Sequence, residues 1–330
     1  MPASVGTPAL WTGFSLVIAA LLALDLGVFH RQAHEIRPRE ALLWSVVWVA
    51  VALLWGAGVW ARFGPDRGLE YLTGYLIEKA LSVDNIFVFL VIFSYFGVPA
   101  SAQHRVLFWG ILGAVVFRLT FILAGAALLQ AFHWTVYLFG GLLVVTGARM
   151  LRGREETVHP ERHPLIRWLQ RRLPLVARYH GARFVVRQDG RLWATPLVLA
   201  LATVEVTDIL FAVDSIPAIF AVTRDPFIVY TSNIFAILGL RALYFLLAGL
   251  LVRLRFLHLG LGLVLVFVGL KMMLSDVYPI PIGLSLAVVA ALIGAAAVAS
   301  VALPSAGAQA DGGAARPAPP SDDPRAGPYG

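Results

Sequence analysis

Apolar residues run in nine long blocks along this 330-residue chain, each ended by Gly, Pro or charge. The blocks cover residues 9–29, 42–61, 71–96, 105–128, 133–151, 195–222, 228–252, 256–274 and 280–302. Runs of about twenty apolar residues are long enough, as helices, to cross ~30 Å of hydrocarbon. The pattern therefore predicts an all-α polytopic membrane protein with about nine transmembrane helices.

Charge in the gaps gives an orientation. Arg31, Arg37 and Arg39 follow the first block, ten Arg fall within residues 152–194, and Arg253 and Arg255 follow the seventh block. These three connections share one side. The opposite connections are short and nearly balanced, as with Arg62, Asp66, Arg67 and Glu70, or Arg224 and Asp225. The positive-inside rule then places the N-terminus outside and the C-terminus in the cytoplasm, with multiple passes. The first block follows no Lys or Arg, so it lacks the basic region of a secretory signal and is read as a retained helix. Residues 1–303 form the predicted transmembrane domain, including the basic 152–194 loop. Residues 304–330, rich in Pro, Gly and Ala, are expected to be a disordered cytoplasmic tail.

Composition agrees with a lipid environment: 59% hydrophobic, 14% charged, mean hydropathy +0.80. The net charge of +7 sits almost wholly in the 152–194 loop, where only Glu155, Glu156, Glu161 and Asp189 oppose the arginines. That favours retention on the cytoplasmic side and contact with anionic lipid, not nucleic-acid binding. The absence of cysteine excludes disulfides and thiolate metal sites. With no Walker loop, no dinucleotide fingerprint, no HExxH and no GxSxG, neither an enzyme nor a permanently bound cofactor is expected.

Against this background two blocks carry acids. One reads Glu78-Lys-Ala-Leu-Ser-Val-Asp84-Asn85-Ile-Phe, the other Glu205-Val-Thr-Asp208-Ile-Leu-Phe-Ala-Val-Asp214-Ser215-Ile-Pro217. Five ionised acids at mid-membrane would cost on the order of 10–18 kcal/mol if none found a partner. They must face a cation, water or each other. Aligning Val83-Asp84-Asn85 with Val213-Asp214-Ser215 sets Glu78 opposite Asp208. Further on, Phe117-Arg118-Leu119 resembles Leu240-Arg241-Ala242, although the Asp-to-Arg spacing is 34 residues in one copy and 27 in the other. The third block runs inward and the sixth outward, so the two copies form an inverted three-plus-three repeat, a recurring transporter design.

Helical geometry sorts the polar residues. Glu78, Ser82 and Asn85 share one face, as do Asp208 and Ser215, whereas Asp84 and Asp214 point about 120° away. Pro217 removes one helical hydrogen bond, and local unwinding at 213–217 could re-aim Asp214. Structural ion pairing is the competing explanation for each acid, with Lys79, Arg118, Arg241 and Lys271 as candidate bases. Six acids (those five and Asp25) against four bases leave a formal −2, which one divalent cation or added protons would balance. Asp25, next to His30-Arg31, reads better as an interfacial anchor. Asn233 and Ser232 fit equally well as ligands or as interhelical hydrogen-bonding groups. Carboxylates, amides and hydroxyls are hard donors that suit Mn²⁺, Mg²⁺ or Ca²⁺ better than copper or zinc.

Residues 78–87, Ala-Thr-Pro at 194–196, Thr-Asp-Ile-Leu-Phe-Ala-Val-Asp-Ser-Ile-Pro-Ala-Ile-Phe at 207–220, residues 230–241 and Asp25-Leu-Gly-Val-Phe-His-Arg31 resemble the TerC family, including its Alx branch. The likeness runs from about residue 9 to 302 and leaves out the tail and the basic loop. It implies a multi-pass protein of the bacterial inner (plasma) membrane associated with tellurium resistance, Mn²⁺ export and metal loading of exported proteins. By motif match it implies Glu78, Asp84, Asn85, Glu205, Asp208, Asp214, Ser215 and Asn233 as metal ligands. A carboxylate site would repel tellurite, so resistance would be indirect. The function expected is export of a divalent cation, most simply Mn²⁺, through a midplane carboxylate site, with proton exchange open. Two rivals remain: a membrane scaffold that assists metalation or assembly of exported and membrane proteins, and an anion or amino-acid permease.

Overall fold

A computed structural model describes residues 4–29, 38–152, 164–176, 178–188, 190–247 and 256–302, with the backbone alone for 25–29, 38, 84 and 301. Its helices are α1 (Pro8–Phe29), α2 (Pro38–Phe63), α3 (Pro65–Phe96), α4 (Ala100–Ala131), α5 (Thr135–Leu151) and α6 (Pro164–Arg172). After the hairpin β1 (Val185–Gln188) and β2 (Arg191–Ala194) come α7 (Pro196–Phe220), α8 (Pro226–Leu238), α9 (Leu240–Leu247), α10 (Leu257–Met273) and α11 (Ile282–Ala302). Pro8, Pro38, Pro65, Pro164, Pro196 and Pro226 all open helices, where a preset φ helps and the missing N–H is not needed. Asp225 caps α8 by accepting from the Phe227 N–H at 2.9 Å.

Each predicted apolar block is helical over most of its described length. Five helical stretches are long and apolar enough to cross a membrane: Arg39–Phe63, Ala100–Ala131, Pro196–Phe220, Pro226–Leu247 and Ile282–Ser300. Pro8–Leu24, Thr135–Leu151 and Leu257–Met273 are shorter apolar helices. The seventh block is broken at Gly239 into α8 and α9. The expected tail, 304–330, lies outside the described residues, as do parts of the basic loop.

The helices pack around α3 and α8. Over its most apolar window the α8–α9 stretch is 94% buried, against 11% for α11, so one lies at the centre and the other at the rim. α3 packs against α2, α7, α8 and α11, while α4 packs against α7 and α8. α5 and α10 form an antiparallel pair made possible by glycine. A Cβ on Gly147 would stand 2.5 Å from the Gly262 carbonyl oxygen, and one on Gly269 would stand 2.7 Å from that of Gly140. The rim exposes apolar side chains such as Leu43, Leu54 and Val298, the surface a bilayer covers.

The basic loop holds more structure than the sequence predicts. β1 and β2 pair antiparallel, and the segment is tied to neighbouring helix ends. Arg105 Nη1 donates to the Ala182 carbonyl at 2.7 Å, and the Tyr179 hydroxyl donates to the Phe96 carbonyl. Partial burial pushes the Tyr179 phenol above its ordinary pKa. At another turn, hydrogen bonds from His133 and Tyr137 hold the Asp276 carboxyl below the usual carboxylate range.

One expectation is corrected. α7 continues through 213–217 as regular helix, so Pro217 does not unwind it. Pro217 removes a single bond, three residues before the helix ends at Phe220, and the buried packing of residues 215–220 holds the backbone in place.

Candidate cation site

The polar centre is assembled from three buried stripes. On α4, Gly110, Ala114, Arg118, Ile122 and Ala126 recur at four-residue intervals and are buried, so Arg118 points into the bundle. On α3, Tyr71, Tyr75, Glu78, Ser82, Asn85 and Phe89 form the inward stripe. On α7, Thr207, Asp208 and Ser215 face the same interior.

Arg118 lies at the junction and is fully buried. Its Nη1 donates to Glu78 Oε1 and, at 3.0 Å, to Asn233 Oδ1 on α8. Its Nη2 and Nε reach the two oxygens of Asp208 at 2.9 and 3.2 Å, a bidentate pair. One guanidinium therefore joins α3, α4, α7 and α8. Two carboxylates against one cation leave this cluster with a formal charge of −1.

Further polar atoms lie nearby without hydrogen-bond partners among the described residues. Glu78 Oε2, Ser82 Oγ, Asn85 Nδ2, Ser215 Oγ and Asn233 Nδ2 are all buried and unpaired. Ser215 lies beside Glu78. Groups left in this state are unusual inside a folded protein and mark a place where a ligand, water or proton belongs.

The predicted ligands thus divide. Glu78, Asp208 and Asn233 meet directly at Arg118, with Ser215 alongside and Asn85 on the same α3 face about two turns away. Glu205 stands apart. Its carboxylate lies where a Cβ on Gly113 of α4 would be, and its Oε2 is buried and unpaired. Asp214 is half-buried and accepts a hydrogen bond from Thr146 Oγ1 of α5 at 3.0 Å. The side chains of Asp84 and Asp25 lie outside the described residues. Among the described residues no trio of His, Cys, Asp or Glu is grouped closely enough to hold a metal ion.

The sequence marks Arg118 as a repeat landmark and as one of four candidate bases without singling it out, and does not mark Thr146 at all. Arg118 is identified by its place on the four-residue stripe of α4. For Thr146 the available signal is an isolated hydroxyl in the apolar, glycine-containing run of α5. Of the other bases, Lys79 Nζ donates to the Ala236 carbonyl at 3.2 Å, beside the break at Gly239. A cavity of about 650 Å³ opens at the end of the bundle, lined by Arg67, Glu70, Thr223, Arg224 and Asp225 and reaching Ala126 and Phe220. Ala126 lies two turns from Arg118 along α4, about 12 Å.

Comparison with known proteins agrees with this architecture. The sequence profile of the integral membrane protein TerC family matches residues 63–307. The membrane protein STKORF319 of Myxococcus xanthus is 56% identical over 298 residues, covering 90% of this chain and 93% of the relative. The Alx protein of Escherichia coli K12, whose name makes it a candidate membrane-bound redox modulator, is 50% identical over 295 residues, covering 87% and 92%. A membrane protein of Rickettsia felis is 40% identical over 291 residues, covering 88% and 97%. No solved structure matches. With the family profile spanning most of the chain and relatives matched over nearly their whole length, the chain belongs to the TerC family of integral membrane proteins.

Proposed function

We propose that this protein exports divalent metal cations, with Mn²⁺ the first candidate, through a carboxylate site in the middle of the bilayer, and that it is not an enzyme. The observation that carries this reading is the meeting of Glu78 and Asp208 in the buried centre of the bundle, beside unpaired oxygen and nitrogen donors. Such a site is costly in a membrane protein unless it is used. Hard oxygen donors favour Mn²⁺, Mg²⁺ or Ca²⁺ as cargo. In this reading Asp84, Asn85, Asp214, Ser215 and Asn233 complete the coordination at different stages of transport, and the carboxylates also take up protons in exchange.

Nine spans and an inverted repeat belong to the same proposal, with N-terminus out and C-terminus in. Helix packing supports it. Exchanging α3 with α7, α4 with α8 and α5 with α10 maps the α3–α8 contact onto α4–α7 and the α5–α7 contact onto α3–α10. The α5–α10 glycines obey the same rule: Gly140 and Gly147 recur as Gly262 and Gly269 at equal spacing, and each meets its crosswise counterpart. A two-fold axis in the membrane plane would produce this pattern.

Cells grown in excess Mn²⁺ test the reading. Those expressing wild type should hold less manganese than those expressing Asp84→Ala or Asp214→Ala at equal membrane levels. Equal manganese would contradict the site. A second reading, a scaffold for metalation or assembly of other proteins, draws on the described residues of the 164–195 segment, with α6, the β1–β2 hairpin and an exposed Trp168. It predicts partner capture that persists after the acids are replaced. Any redox effect of the kind the Alx name suggests would be indirect with respect to thiols, since this chain has no cysteine.

A further inference from the structure

Arg118 uses the oxygens that a divalent cation would need. Its fork takes one oxygen of Glu78, both oxygens of Asp208 and the Asn233 amide oxygen. A guanidinium keeps its charge at any physiological pH, so it cannot vacate the site by losing a proton. A divalent cation placed between Glu78 and Asp208 with Arg118 still seated would repel it at contact distance in a medium that screens poorly. The two carboxylates carry −2 without the arginine, which matches the charge of one divalent cation.

The structure also offers the arginine somewhere to go. Glu205 Oε2 is buried and unpaired. Glu205 stands one turn before Asp208 on α7, a neighbouring position on that helix, and its carboxylate lies beside Gly113 of α4. Side chains on a helix lean toward its N-terminus, so Arg118 leans along α4 toward the level of Gly113, and the move from Asp208 to Glu205 is a single turn along α7. A side chain at 113 would push the Glu205 carboxylate out of that position.

From this geometry we infer that Arg118 is a tethered cation that competes with the transported metal, leaving Glu78 and Asp208 for Glu205 when the metal binds. The inference rests on the transporter reading above. It makes Arg118 a positioning residue that sets how tightly the loaded site holds its cargo and expels it on return. Glu205 then acts as the arginine's second seat and does not ligate the metal.

The test is Mn²⁺ affinity of purified, detergent-solubilised protein, measured by calorimetry beside Mn²⁺ flux in proteoliposomes. If Arg118 is seated in nine-tenths of unloaded molecules, Arg118→Gln binds Mn²⁺ about 10-fold more tightly than wild type while its flux falls, because release loses its competitor. Arg118→Lys, which keeps the charge but not the fork, lies between the two and keeps the inference testable if the glutamine variant folds poorly. Glu205→Gln weakens Mn²⁺ binding in the wild-type background and has no effect in Arg118→Gln, a coupling that a direct ligand would not show. The inference is overturned if Arg118→Gln and Arg118→Lys bind Mn²⁺ no more tightly than wild type, or if Glu205→Gln weakens binding equally in both backgrounds. A folded wild type that neither binds nor moves Mn²⁺ would overturn the transporter reading itself, a result distinct from either of those.

Discussion

Arg118 is the residue on which the centre depends for stability. A buried guanidinium facing two carboxylates is stable only as a complete set, because removing one member leaves charge uncompensated. Asp208→Ala should therefore lower stability by about 3–5 kcal/mol, read as a large drop in melting temperature in detergent. Thr146→Val removes one hydrogen bond to Asp214 and should cost only about 1 kcal/mol. Much of this residue-level picture was legible before any coordinates. The helical wheel placed Glu78, Ser82 and Asn85 on one inward face and Asp208 with Ser215 on another, and all five are buried. What could not be read was which base answers the acids. Lys79, Arg118, Arg241 and Lys271 are alike in sequence, and the choice depends on how α4 is rotated against α3 and α7.

Among the elements, α5 and α10 are the pair most tightly constrained by side-chain size. Gly147→Ala and Gly269→Ala each put a methyl group against a carbonyl oxygen, and each should cost about 1–3 kcal/mol by thermal denaturation. Gly141→Ala is the control, since open space surrounds that position. The turn after α10 adds a pH-dependent tie to the start of α5 through Asp276. Because the folded carboxyl is held below its ordinary pKa of 3.8, its contribution is fully present above that value and disappears as pH falls through the lower folded one. Asp276→Asn should accordingly melt below wild type at neutral pH, and the two should converge in strong acid. Hydropathy located the helices well but missed two element-level features. The break at Gly239 sits inside an apolar run that continues past Arg241, so neither residue reads as an end, and the β1–β2 hairpin lies in a segment whose arginines dominate any reading of its pattern. Pro217 misled in the other direction, since a proline one turn from a helix end can be absorbed without a break.

At the scale of the whole molecule, an apolar shell surrounds a small charged centre, and a cavity of about 650 Å³ approaches it from one end. The proposed inverted repeat rests on polar landmarks in the sequence, and the crosswise glycine contacts of α5 and α10 are what such symmetry would require. Alternating access follows naturally if one three-helix unit rocks against the other around Glu78 and Asp208. The most direct test is Mn²⁺ flux in proteoliposomes, comparing wild type with Glu78→Gln/Asp208→Asn and offering Ca²⁺ and Mg²⁺ in parallel. The account predicts saturable Mn²⁺ flux in wild type and its loss to background in the folded double variant. Equal Mn²⁺ flux in the two proteins would contradict it.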